Sequence, residues 1–259
     1  MTSAFYRRLA DGRFEPLTPA TGSWNRAHQN GVAVAGLLAQ AIEAAPTRSP
    51  MKVARFTLDI MRPVPFAPIA VRIVPVRDGA RMQLIDAEIV AGGEVVARAS
   101  AMRVRMDESP TAEETPPAHP GPDDAPPNPV TSVLGAGHPM ETRVVAGSIR
   151  QPGPGAFWAT FNADVVEGEP MCALARSAMA SDVGSAPSSI VERGKWSFAN
   201  VDLSLYLTRA PVGAWVLVDA VTISAGAGVG LVNSTLADER GVFGRAHQTL
   251  FLAPIEAAA

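Results

Sequence analysis

RFTLDIMRPVP, residues 55–65, and DLSLYLTRAPV, residues 202–212, are two versions of one pattern. An offset of 147 residues lays the first on the second, so that Arg62 meets Arg209 and Thr57 meets Ser204. Carried on without a gap, the same offset brings GEVVARASAM (93–102) onto the segment RGVFGRAHQTL (240–250) and aligns Arg98-Ala99 with Arg245-Ala246. One register held over about 45 residues points to a duplication, and a period this long means paired domains, not a solenoid of short repeats.

Outward from these segments, each half shows the same order of signals. In the first, an extended piece from Phe14 to Thr18 leads to GVAVAGLLAQAIE (31–43), whose length and Ala/Leu content predict a helix. Apolar residues on nearly every face mean that this helix must be wrapped by other structure. Four β-like runs follow at 53–61, 69–77, 81–91 and 95–105, separated by turns such as Arg77-Asp78-Gly79 and Ala91-Gly92-Gly93. They read as an antiparallel meander, with Pro75 demoting its run to an edge or a bulge. The second half repeats the series: an extended AFWATFNA (156–163), a helix near 169–182, and strands near 198–208, 214–224, 229–238 and 242–252. Between the halves, SPTAEETPPAHPGPDDAPPNP (109–129) is rich in proline and acid and reads as an exposed linker. The expected boundaries are therefore 1–108, a linker at 109–142, and 143–259, with most of the site in the last.

Composition narrows the function classes. The chain has 259 residues, 47 % of them apolar, enough for a sizeable core. Its 22 basic and 25 acidic residues leave no basic footprint for nucleic acid. The longest apolar stretch, 31–42, is interrupted by Gln40 and is far shorter than the roughly 20 residues of a membrane span. The single cysteine, Cys172, excludes an internal disulfide, and the polar start does not read as a signal peptide, so a cytoplasmic location is expected. No amphipathic basic helix marks the chain for a membrane surface.

There is no Walker A loop, GxGxxG, HExxH or GxSxG, and no Cys/His cluster of zinc-site spacing, so neither a metal nor a cofactor is expected. What stands out is polar residues at positions where packing favours apolar ones. Asp182 closes the second apolar helix, Asn200 opens the strand Asn200-Val201-Asp202-Leu203-Ser204, and Gln248 interrupts the last strand. Under the 147 offset Gln248 falls on Ala101, so this polar group exists in one half only. On the residues alone each has a structural reading too: Asp182 as a solvated helix end, Gln248 as an edge residue, Asn200 as a strand-entry cap, Gly31 as a helix-start turn residue. Cys172 reads as core, because no basic partner lies near it in sequence. His28 and His247 are the histidines best suited to proton transfer, although a lone histidine is more often structural.

Ala180-Ser181-Asp182-Val183, Asn200-Val201-Asp202-Leu203-Ser204 and Ala246-His247-Gln248-Thr249 together resemble the motifs of the acyl-CoA thioesterase II family. The resemblance covers almost the whole chain and implies an α+β fold of two tandem hotdog units, each a central helix wrapped by an antiparallel sheet, sharing one continuous sheet. It implies hydrolysis of a fatty acyl-CoA thioester by a water that Asp182 activates as general base and that Asn200 and Gln248 position. The departure is Asn200, where the family usually carries a hydroxyl. The family's glycine pair at the first helix reads Asn30-Gly31 here, which implies oxyanion stabilisation and substrate binding at the helix N-terminus. A hotdog hydratase or dehydratase and a silent acyl-CoA binding protein are the alternatives, the first requiring His28 or His247 to face Asp182. By fold-level analogy a homodimer or larger oligomer is expected.

Overall fold

In the computed structural model of the chain, residues 3–23, 25–112, 114–127, 138–192 and 194–255 are described. The first half runs through β1 (Ser3–Arg8), β2 (Phe14–Pro16), α1 (Gly31–Ala44), β3 (Met51–Ile60), β4 (Ala70–Asp78), β5 (Met82–Ala91) and β6 (Glu94–Arg105). The second runs through β7 (Met140–Ala146), β8 (Gly155–Phe161), β9 (Ala163–Val166), α2 (Ala173–Asp182), β10 (Trp196–Asn200), β11 (Asp202–Leu207), β12 (Val216–Gly226), β13 (Val229–Asp238) and β14 (Gly241–Pro254). β5 and β13 are related by the 147 offset residue for residue.

Among the described residues one 11-stranded sheet has the order β4-β5-β6-β3-β11-β14-β13-β12-β8-β7, with β10 on β14. The expected meander holds for β4-β5-β6, but β3 lies beside β6 and not beside β4. Local alternation identifies each strand and says nothing about which neighbour it takes. β4 is the end strand, and its register shifts between Pro75 and Arg77, where proline offers no N–H to the ladder. In β3 a register shift between Val53 and Arg55 switches the buried set from Val53 to Phe56 and Leu58.

The halves meet at β3 and β11, which pair antiparallel with Thr57 opposite Ser204. These are the two residues that the 147 offset superposes. The neighbouring pairs, Phe56 with Leu205 and Leu58 with Leu203, exchange roles across that point. A local two-fold therefore passes between Thr57 and Ser204, as in an isologous contact. β1 adds a second tie by pairing parallel with β9 of the other half.

α1 and α2 pack against each other under this sheet, so closely that a Cβ at Gly36 would stand 2.6 Å from Met179 Sδ. One apolar cluster contains both helices together with Phe56 and Ile85 of the first half and Phe157 and Phe243 of the second. α2 starts at Ala173, later than expected; Cys172 caps it, with the Ala175 N–H donating to Sγ.

The linker differs most from expectation. β7 begins at Met140, inside the range read as linker, while 128–137 lie outside the described residues. Before that the chain is a strap across the outer face of the second half. Glu114 pairs with Arg245 of β14, His119 meets Asp219 of β12 at 3.0 Å, the Pro120 carbonyl accepts from Trp158 of β8 at 2.9 Å, and the Pro122 carbonyl accepts from Arg143 of β7. Although most of its residues are exposed, the strap buries Ala125.

Candidate active site

The C-terminus of α2 decides the site. The last carbonyls of a helix lack intrahelical donors, and here the Asp182 carbonyl is served by two side chains from strands. Asn200 Nδ2 donates to it at 2.7 Å and Gln248 Nε2 at 2.9 Å. Asn200 Nδ2 also lies 3.2 Å from the Asp182 carboxylate oxygen Oδ1. Helix end, β10 and β14 thus converge on one residue. Asn200 closes β10 and does not open the next strand; Val201 separates it from β11. The break has its cause in the partner strand, because the Thr249 N–H donates to the Asp202 carboxylate and leaves the backbone ladder there.

Asp182 faces the N-terminus of α1. A Cβ at residue 31 would stand 2.7 Å from Asp182 Oδ2 and 3.0 Å from Oδ1, so only glycine permits this approach. Asn30 caps α1: its Oδ1 accepts from the Ala33 N–H, its Nδ2 donates to the Pro19 and Thr21 carbonyls, and its own N–H donates to Ala20. With all its donors engaged, Asn30 shapes the site and is not free to bind an oxyanion. The amides of Gly31 and Val32 are the first-turn donors that have no acceptor within the helix. Asp182 is 7 % exposed, and burial raises its carboxyl to about 6, the hydrogen bond from Asn200 acting in the opposite direction.

A cavity of about 640 Å³ opens onto this carboxylate. Its wall includes Gly31, Val34, Val64, Asp182, Ser185, Trp196, Phe198 and Asn200, but not Gln248. Gln248 is 1 % exposed and works from behind the wall, and its Oε1 finds no donor among the described residues. His28 lies on the wall. His247 does not: it contacts Asn233 at 3.0 Å and the exposed Tyr206 ring. Burial pushes the Cys172 thiol up to about 11, away from the thiolate form that a nucleophile needs. Sequence reasoning missed Ser185, 4 % exposed on the wall, whose hydroxyl donates to Asn200 Oδ1 at 3.2 Å. Nothing in the local pattern of a Gly-Ser turn distinguishes it from a solvated loop residue.

The corresponding place in the other half is filled by a different residue. The two helices start 142 residues apart, and aligning their starts sets Gln40 on Asp182 and Gly31 on Ala173. Gln40 bridges the N-terminus of α2, accepting from the Cys172 N–H at 2.9 Å and donating to the Pro170 carbonyl at 3.0 Å. Under the strand offset of 147, Val53 and Ala101 stand where Asn200 and Gln248 stand. The polar machinery exists in one copy.

Two family models match the chain, the acyl-CoA thioesterase N-terminal domain over residues 20–104 and the acyl-CoA thioesterase C-terminal domain over residues 107–252. The chain belongs to the acyl-CoA thioesterase family. The enzyme is a thioester hydrolase by that membership, and solved structures agree on its hotdog fold. It is similar to a hotdog-fold protein from Alicyclobacillus acidocaldarius (TM-score 0.77, 19 % identity, covering 95 % of this chain and 93 % of the other). It is also similar to the acyl-CoA thioesterase II TesB2 from Mycobacterium marinum (TM-score 0.68, 19 % identity, 87 % and 91 % covered). A third is the tesB protein of Mycobacterium avium subspecies paratuberculosis (TM-score 0.69, 16 % identity, 96 % and 96 % covered). No curated protein matches the enzyme. Among the described residues no helix is long and apolar enough to cross a membrane.

Proposed function

We propose that the chain hydrolyses fatty acyl-CoA thioesters at Asp182, using a water and no covalent intermediate. The observation that carries this reading is the buried Asp182 carboxylate set against the glycine start of α1 on the wall of a largely apolar cavity. The thioester carbonyl oxygen would accept from the Gly31 amide, where free N–H groups and the positive helix end stabilise developing negative charge. Asp182 takes a proton from water as the oxygen attacks the carbonyl carbon. The tetrahedral intermediate then expels the thiolate, which takes the proton back from Asp182 and leaves as the thiol. Asn200 and Gln248 hold the base in place through its own carbonyl, and Asn200 additionally touches the carboxylate.

In the same reading the chain consists of two tandem hotdog units sharing one sheet, the first over 1–108 and the second starting with β7 at Met140 rather than at 143. The Thr57–Ser204 two-fold and the common offset of β3–β6 with β11–β14 support it. Incubation with acyl-CoAs of graded chain length, followed by thiol detection, tests the function. Thiol release that is lost in Asp182→Asn is the expected result. A change in enoyl absorbance without thiol would instead favour hydration, with His28 and Asp182 both lining the cavity.

A further inference from the structure

Ser185 lies three residues past Asp182, on the turn that follows α2, and both residues engage Asn200. The Asp182 carbonyl and carboxylate receive the nitrogen end of the Asn200 amide, and the Ser185 hydroxyl donates to its oxygen end at 3.2 Å. We propose that Ser185 is a positioning residue, which holds the Asn200 amide in the orientation that serves Asp182. The inference rests on the reading of Asp182 as the base.

The physical case is one of satisfied ends. The terminal torsion of asparagine is broad and two-fold, so the side chain's own preference does not fix its amide plane. Turned around, the amide would press its oxygen against two acceptors of Asp182. In the observed orientation its oxygen needs a donor, and Ser185 supplies one from a site that is 4 % exposed. Segment 182–185 therefore grips one amide at both ends, so any movement of Asn200 relative to the base must break a bond on one side. The other residues brought against Asp182, Gly31 from α1 and Gln248 from β14, are uncharged. Among the described residues His28 is the one other titratable side chain on the wall. The titration of Asp182 thus reports on Asn200. Since the Asn200 hydrogen bond favours the ionised carboxyl, loosening the amide raises the pH at which Asp182 ionises.

The test compares wild type, Ser185→Ala, Ser185→Thr, Asn200→Ala and the double variant Ser185→Ala/Asn200→Ala. The readouts are carboxyl-carbon NMR titration of Asp182 and the steady-state kinetics of acyl-CoA hydrolysis. Ser185→Ala is expected to move the carboxyl titration upward by about half a unit and to lower kcat about five- to tenfold, with KM changed less than about twofold. Ser185→Thr restores both, and Ser185→Ala adds nothing in the Asn200→Ala background. If Ser185→Ala does not fold, Ser185→Cys, which keeps the size and weakens the donor, carries the same comparison. A wild-type titration and kcat in the Ser185 variant, or losses that multiply in full in the double variant, would overturn the proposal. If Asp182→Asn retains full activity, the general-base reading fails, while the carboxyl titration still decides the role of Ser185.

Discussion

At the scale of single residues, Asp182 in its proposed role as base faces opposed demands from stability and chemistry. Its carboxyl rises to about 6 in the folded protein, against about 3.9 in an unfolded chain. Between these values the native state binds more protons than the unfolded one, so stability falls as pH rises through the window and levels off above it. Two units correspond to about 3 kcal/mol at neutral pH. Asp182→Asn should therefore be about 2 kcal/mol more stable than wild type in urea titrations at pH 8, the difference vanishing below about pH 4. The same variant should lose about 10²- to 10⁴-fold in kcat, and the wild-type kcat/KM should rise through pH about 6 to a plateau. A variant that is both less stable at pH 8 and fully active would contradict both expectations. Gln248→Ala should lower kcat by about tenfold, less than Asp182→Asn, because Asn200 still holds the Asp182 carbonyl.

The helices show how far local sequence reaches. α1 runs from Gly31 as read from its Ala/Leu content, and the strands that were expected fall within about two residues of their bounds, because alternation against a buried face is a local property; β1, β7 and β9 were missed, and the run 198–208 divides into β10 and β11. Asp182 and Gln248 stood out as polar interruptions of apolar patterns. That the Gln248 amide serves the Asp182 carbonyl could not be read, since the two residues are separated by 66 positions and meet only through the sheet. Asn200 was misplaced by one element because the ladder break at Val201 depends on the distant pair Asp202 and Thr249. Arg103 is a further example of a helix end completed from a strand. Its guanidinium, 3 % exposed, donates to the Ile42 and Ala45 carbonyls at the end of α1 and to Gln83. Arg103→Met should lower stability by about 2–4 kcal/mol in denaturant titration, leaving buried carbonyls without donors. It should spare kcat of the folded fraction, because the 14-residue α1 puts the site about 20 Å away.

At the scale of the whole molecule the halves are interdependent. Gly31 comes from one and Asp182 from the other, β3 pairs with β11, β1 with β9, and both helices share one core. The strap was read as an exposed linker because its composition cannot fill a core; its partners, Arg245, Asp219, Trp158 and Arg143, lie in strands that local sequence does not connect to it. A protease site inserted between residues 106 and 112 should be cleavable with the two fragments co-eluting in size exclusion and full hydrolysis retained. Separation of the fragments in native buffer would show that the strap, and not the sheet, holds the halves together.

Gln40 gives the proposed pair of units a direction. By bonding both the Cys172 N–H and the Pro170 carbonyl, it occupies the place where an equivalent carboxylate would have faced an equivalent helix start. On the proposed two-unit reading the chain has a symmetry of backbone without a symmetry of occupancy: a tight-binding substrate mimic should saturate at one equivalent per chain, and its binding isotherm should show a single class of site.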